Sequence, residues 1–170
     1  GSIFSVVRYG NVINSRGSVI SLYLNLIKNK SKFLPVTDEK MTRFWITLDQ
    51  GVEFVLSNLE IMKGGEIYVP KIPSMKVIDV AKAMAPKIPY KLIGVRPGEK
   101  IHEVMITEDD ARYTVELEDR FIIFPSKYYK LNKNLKKFVI SYNLSEDFRY
   151  SSDKNTNWLD KKDFLKLINN

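Results

Sequence analysis

Cysteine is absent, and histidine occurs once, at His102. The first absence excludes a disulfide framework and any thiolate metal site, and a lone imidazole offers no metal cluster. No apolar run approaches membrane-spanning length, and the opening residues do not have the pattern of a secretory leader. The expected location is therefore the cytoplasm, with no membrane partner. Glycine is sparse. None of the eight glycines falls into a G-x-G-x-x-G string, so these residues carry no dinucleotide phosphate loop.

What is present is a globular composition, 44% hydrophobic and 28% charged, in a chain of 170 residues, enough for an ordinary core. The net charge of +7 raises the question of nucleic acid. The segment KYYKLNKNLKK (127–137) interleaves basic and aromatic residues, as single-strand binders do. Its lysines, like those of KNKSK (28–32), read better as a solvated surface, and no recognised nucleic-acid motif accompanies them. No nucleic-acid partner is expected.

Along the chain, strand and helix patterns alternate, which predicts an α/β fold. Ile3 to Tyr9 reads as a strand buried on both faces. Ser18 caps a helix to about Lys28, with positions 19, 20, 23, 24 and 27 on its apolar face. Short strands follow at Leu34 to Val36 and Met41 to Ile46. Thr47 and Gln50 have capping-box spacing for a helix whose stripe is Leu48, Val52, Val55, Leu56 and Leu59. Glu66 to Val69 is strand-like. Pro73-Ser74 starts a helix with Val77, Ile78, Ala81, Met84 and Ala85 on one face. Tyr90 to Val95 reads as a strand, and Arg112 to Glu118 with Arg120 to Phe124 as a hairpin. Asp160 caps a last helix through Ile168. Residues 126–157 carry no readable pattern.

The segment GVRPGEKIHEVMI (94–106) is the richest in chemistry. It sets an arginine, a Pro-Gly turn, a glutamate and a lysine directly after an apolar run. A guanidinium at a strand end suits bidentate pairing with phosphate, and Glu99 can accept hydrogen bonds from sugar hydroxyls. That combination points to a nucleotide-sugar.

Four strings, VVRYGNVINSRGSV, MTRFWITLDQGVEFVL, GGEIYVPKIPSMKVIDVAKAMA and GVRPGEKIHEVMI, closely resemble the inverting UDP-N-acetylglucosamine 4,6-dehydratases in order and spacing. These enzymes are extended short-chain dehydrogenase/reductases of pseudaminic acid and capsular sugar synthesis. The match runs from Phe4 to about Glu118, with YSSDKNTNWL (150–159) fitting more weakly. The resemblance implies a Rossmann-type α/β enzyme, of which this chain is the C-terminal, substrate-binding portion. Residues 1–12 would finish the Rossmann core and 13–170 form the substrate-binding domain. The dinucleotide-binding half, with its catalytic Tyr-x-x-x-Lys and acidic residue, would lie before VVRYGN, so the chain alone is expected to be inactive. The complete enzyme would use NADP, form a homo-oligomer, take a hydride from C4, lose water across C5 and C6, and return the hydride to C6 with inversion at C5.

The resemblance places Tyr9 and Gly10 near the nicotinamide end of NADP and Asn11 on the UDP-sugar; otherwise this is an ordinary strand-ending turn. Arg16, Gly17 and Ser18 precede a helix, so backbone N–H groups there can meet an anion; plain N-capping is the other reading, and both can hold together. In the family an arginine at the position of Arg43 contacts the nucleotide; the alternative is an edge-strand charge. Arg96 is expected on the diphosphate and Glu99 on the ribose, against a structural ion pair for Arg96. Tyr129/Lys133 and Tyr150/Lys154 match Tyr-x-x-x-Lys by chance, so no catalytic residue is expected here. His102 reads as structural, Glu108, Asp109 and Asp110 as a solvated helix start, and Trp45 and Trp158 as packing. Two other classes stay open: a stand-alone UDP-sugar or partner-binding module, and a basic nucleic-acid-binding domain.

Overall fold

The computed structural model describes residues 1–125, 139–142 and 144–169. The basic run at 127–137 and the Tyr129/Lys133 pair lie outside them. In chain order the elements are β1 (Val6–Val7), β2 (Asn11–Val12), α1 (Val19–Lys28), β3 (Leu34–Val36), β4 (Thr42–Ile46), α2 (Leu48–Leu59), β5 (Ile67–Pro70), β6 (Ser74–Lys76), α3 (Val77–Met84), β7 (Tyr90–Leu92), β8 (Val104–Ile106), α4 (Glu108–Ala111), β9 (Thr114–Leu117), β10 (Arg120–Ile123), β11 (Val139–Tyr142), β12 (Tyr150–Ser151) and α5 (Lys161–Asn169). The fold is mixed α/β, as the alternating pattern predicts.

The elements fall into two compact units. One comprises residues 1–9, 49–71 and 104–151, the other 10–48, 72–103 and 152–170. The first holds a five-stranded sheet in the order β1-β5-β10-β9-β11. The expected hairpin is present: β9 and β10 are antiparallel, joined at Glu118-Asp119. Phe54 of α2 packs with Tyr68, Val115, Leu117, Ile122 and Phe124 to form this unit's core.

Two expectations fail here. The strand over Ile3 to Tyr9 shrinks to Val6–Val7, which among the described residues pairs with β5 alone, at the sheet edge, and Ile3 and Phe4 are exposed. A two-residue edge strand can cover one side at most, so an apolar run alone did not establish burial. In α2 the stripe Leu48, Val52, Val55, Leu56 and Leu59 is exposed, and the buried face is Gly51, Phe54 and Asn58. The reason is polar. The Arg120 guanidinium stacks over the Phe54 ring at 4.9 Å and donates to Asn58 Oδ1 at 2.5 Å, while Asn58 donates back to the Phe54 carbonyl. Satisfying Asn58 turns its face inward, against the purely apolar count.

The second unit has two small sheets, β2-β4-β6 and β3-β7. Its core joins Ile20 and Tyr23 of α1, Leu34 and Val36, Trp45, the α3 face and Phe164 of α5. Trp45 meets Phe164 edge-on at 5.9 Å, a packing role as expected. Trp158 instead is exposed and its indole N–H donates to the Asn155 carbonyl. Leu24, expected inside α1, is also exposed. The helix expected from Pro73-Ser74 begins only at Val77. Ser74–Lys76 is captured as β6, antiparallel to β4, and the Ser74 N–H donates to the Asn157 carbonyl. The strand expected to reach Val95 stops at Leu92, two residues before Gly94 at φ 81°. Asp160 caps α5, its Oδ1 accepting from the Asp163 N–H at 2.7 Å.

Candidate functional site

A cleft of about 580 Å³ opens in the second unit, within the usual size range of small-molecule sites. Asn11, Ser18, Arg43, Arg96 and Glu99 line it. These five come from β2, the cap of α1, β4 and the segment after β7, so the fold gathers residues that lie up to 88 positions apart. Arg16 does not line it, although Gly17 and Ser18 do. Tyr9 belongs to the first unit.

Each side chain reaches the cleft for a local reason. Asn11 was expected in the turn after a strand; it instead opens β2, which lies parallel to β4 with Asn11 opposite Trp45. The chain then turns through Asn14 at φ 61° and Gly17 at φ 76°. Ser18 caps α1, its Oγ accepting from the Ser21 N–H at 3.2 Å.

Gly10 abuts β4. A Cβ there would overlap Phe44 Cβ and stand 2.7 Å from the Phe44 carbonyl oxygen, which gives this glycine a packing reason of its own.

Arg96 and Glu99 sit on one tight turn. The Glu99 N–H donates to the Arg96 carbonyl at 3.0 Å, and Glu99 Oε2 accepts from the Arg96 N–H at 3.2 Å. Glu99 Oε1 also accepts from the Thr37 hydroxyl at 3.3 Å. Among the described residues the Arg96 guanidinium has no ion-pair partner, so the structural ion-pair alternative has no support. An exposed guanidinium can pair with an anion, and the neighbouring carboxylate, which orders the same turn, can accept from hydroxyls.

Apart from Gly17, Ser31 and Thr37, the rest of the lining is apolar or aromatic, with Tyr23, Phe33 and Ile93 among it. Burial pushes the Tyr23 phenol up to about 12, and its hydroxyl donates to the Pro35 carbonyl at 2.8 Å. It therefore stays neutral and serves as a fixed wall.

Arg43 is not an edge-strand charge, since β4 lies between β2 and β6. Its side chain is only 13% exposed. Nη1 donates to the carbonyls of Thr42 at 2.8 Å and Ile101 at 3.1 Å, and Nη2 to that of Lys100 at 2.8 Å. Nε stands 3.7 Å from Glu103 Oε1. Burial raises the Glu103 carboxyl above its ordinary value, against the lowering pull of the Phe44 N–H, Arg43 and Lys100. His102 is structural, its Nδ1 lying 2.8 Å from the Thr42 hydroxyl. Sequence reasoning passed over Glu103, Thr42 and Ser152, although Glu103 lies in GVRPGEKIHEVMI, Thr42 in MTRFWITLDQGVEFVL and Ser152 in the weaker match YSSDKNTNWL.

The acidic trio is a helix start, with Thr107 and Asp110 forming a capping box for α4. Tyr150 is buried in β12 against Phe121 at 5.1 Å, and Lys154 lies in the turn that follows the strand, so the pair is not carried on a helix. No helix among the described residues is long and apolar enough to cross a membrane.

Residues 1–125 match the family described as polysaccharide biosynthesis protein. The chain belongs to that family. It is 50% identical over 172 residues to a UDP-N-acetylglucosamine 4,6-dehydratase (inverting) of Campylobacter jejuni subsp. jejuni serotype O:23/36 (strain 81-176), a match covering 98% of this chain and 51% of the relative. It is 38% identical over 126 residues to a UDP-glucose 4-epimerase of Rickettsia canadensis (strain McKiel), covering 72% of this chain and 37% of the relative. Among solved structures, the X-ray structure of Pen from Bacillus thuringiensis superimposes with a TM-score of 0.80 at 33% identity, covering 98% of this chain and 49% of that one. The chain spans about half the length of the curated dehydratase it matches.

Proposed function

We propose that this chain supplies the UDP-sugar grip of an inverting UDP-N-acetylglucosamine 4,6-dehydratase, a lyase of polysaccharide or pseudaminic acid synthesis. The observation that carries the reading is the convergence of Asn11, Ser18, Arg43, Arg96 and Glu99 on one cleft. The comparisons add a second support. Relatives named for dehydration and for epimerisation share this half of the chain, and both names carry UDP. A segment common to two different reactions is better suited to the shared nucleotide than to either chemistry.

In this reading Arg96 pairs with the diphosphate, Glu99 accepts from the ribose hydroxyls, and Asn11 hydrogen-bonds the sugar. Arg16 lies outside the cleft lining and would act only at long range. Binding energy from the nucleotide holds the hexose at the reacting centre, which is how a remote grip raises rate. Residues 1–12 would complete the dinucleotide-binding core and 13–170 form the substrate-binding domain.

The redox cofactor would be NADP, whose chemistry is hydride transfer at the sugar. The residues here do not fit that group by themselves. There is no glycine-rich pyrophosphate cradle, and Gly10 is accounted for by Phe44, which leaves Tyr9 and the Gly10 backbone as the possible contacts. The reading carries with it a homo-oligomeric enzyme working in the cytoplasm, where sugar nucleotides are made.

Calorimetric titration with UDP, UDP-N-acetylglucosamine and a single-stranded oligonucleotide at several salt concentrations tests the proposal. Saturable UDP binding with shallow salt dependence is expected. Oligonucleotide binding that falls steeply with salt, with none for UDP, would favour the nucleic-acid class instead.

A further inference from the structure

Thr37 directly follows β3, which lies parallel to β7 with Val36 opposite Leu92. Leu34 and Val36 are fully buried, and the Val36 carbonyl accepts from the Ile93 N–H at 3.0 Å. The backbone at Thr37 is thus held beside the segment that leaves β7. Thr37 itself is half-buried and lines the cleft. As a β-branched residue it has few side-chain rotamers, so its hydroxyl is directed by the strand that carries it.

That hydroxyl reaches Glu99, 62 positions away. The turn bearing Glu99 keeps its own backbone shape. Pro97 is followed by Gly98 at φ 81°, and the Glu99 N–H donates to the Arg96 carbonyl at 3.0 Å, which is a type II turn. What the turn does not settle is the rotation of the Glu99 carboxylate. Two donors settle it: the Arg96 N–H on Oε2 at 3.2 Å and the Thr37 hydroxyl on Oε1 at 3.3 Å. Every other residue from 91 to 100 is exposed, and Glu99 alone is half-buried. A carboxylate has about four lone-pair sites, two on each oxygen. With one protein donor on each oxygen among the described residues, each keeps one site for a ligand. Two adjacent acceptors, one site each, match the two hydroxyls of a cis-diol.

We propose that Thr37 is a positioning residue that fixes the rotation of the Glu99 carboxylate, so that its two remaining acceptor sites meet the 2′- and 3′-hydroxyls of a ribonucleotide together. The inference rests on the UDP-grip reading, in which Glu99 faces the ribose. It adds the group that makes the carboxylate selective for a diol. Held by the Arg96 N–H alone, the carboxylate pivots about one oxygen and meets one hydroxyl at a time. Valine at 37 keeps the branched shape and removes the donor, whereas serine keeps the donor and removes the methyl group.

The test is calorimetric affinity for UDP and for its 2′,3′-dideoxy analogue, measured on wild type, Thr37→Val and Thr37→Ser, with a melting curve for each. Wild type should prefer UDP by about tenfold, as one charge-assisted hydrogen bond allows. In Thr37→Val that preference should shrink to about twofold. The loss should fall on UDP, with affinity for the dideoxy analogue unchanged, and Thr37→Ser should restore the wild-type ratio. Equal weakening of both ligands would overturn the proposal and give Thr37 a role in packing or at another part of the nucleotide. An unchanged preference in Thr37→Val would overturn it too. Wild type binding both ligands equally would sink the proposal and leave the UDP grip standing, whereas binding neither would sink both. Should Thr37→Val not fold, Thr37→Ala decides by the same ratio.

Discussion

The hydroxyls of Thr42 and Ser152 stand 2.6 Å apart, buried, although 110 residues separate them. Ser152 also accepts from the Glu103 N–H at 2.9 Å, and Thr42 meets His102 Nδ1 at 2.8 Å. One hydroxyl thus ties three distant stretches of chain. Removing it leaves a partly buried N–H without its acceptor, a loss of about 1–3 kcal/mol. Ser152→Ala is therefore expected to lower stability by that amount in urea unfolding. A midpoint equal to wild type would show that the hydroxyl links nothing of consequence.

The two faces of α2 make opposite predictions. Phe54 is 9% exposed and sits in the first unit's core, so Phe54→Ala should cost about 3–5 kcal/mol. Leu56 is 55% exposed, and Leu56→Ala should change stability by less than about 0.5 kcal/mol. Melting curves of the two variants are the check. Equal losses would restore the apolar stripe as the buried face.

Glu66 closes the turn before β5. It is 4% exposed, and its carboxylate accepts from the Ser5 hydroxyl at 2.7 Å, the Lys63 N–H at 2.9 Å and the Gly64 N–H at 2.7 Å. Burial by itself would raise this carboxyl, but the hydrogen bonds from Ser5 and from the backbone at Glu66, Gly64 and Lys63 outweigh it and hold it below its ordinary value. A carboxylate with a depressed folded pKa binds fewer protons folded than unfolded. Its contribution is full above the unfolded value, near 4.5, and is lost as pH falls through the folded one. Glu66→Gln should cost about 1.5–3 kcal/mol at pH 7. The gap to wild type should narrow as pH drops below about 4.5. A gap that stays constant with pH would assign the loss to shape and not to charge.

Arg96→Ala should weaken UDP binding by about ten- to a hundredfold, since a charge-assisted contact contributes roughly 1.5–3 kcal/mol. Glu99→Gln keeps the shape and should lose about 1 kcal/mol. Calorimetry with a melting curve alongside separates binding from folding. A lowered melting temperature with unchanged affinity would return Arg96 to a structural role.

Local patterning determined much of this protein. Helix starts at Ser18 and Asp160, the hairpin through Glu118-Asp119 and the exposed acid-rich start of α4 follow from capping and turn chemistry acting over a few residues, so they were legible. Five of the six residues expected on a UDP-sugar line one cleft: the Pro-Gly turn pointed to Arg96 and Glu99, the helix start to Ser18, and only the family resemblance to Asn11 and Arg43. Tertiary structure alone decided which face of α2 is buried, since that depends on Arg120 reaching Asn58 across 62 positions. It also decided that Ser74–Lys76 becomes a strand, through partners at Thr42–Phe44 and Asn157. Arg43 is the sharpest case. Its charge was visible in the sequence, but its donors are directed by carbonyls at Lys100 and Ile101, and a hydrogen bond to backbone leaves no trace in the identity of the residue that accepts it.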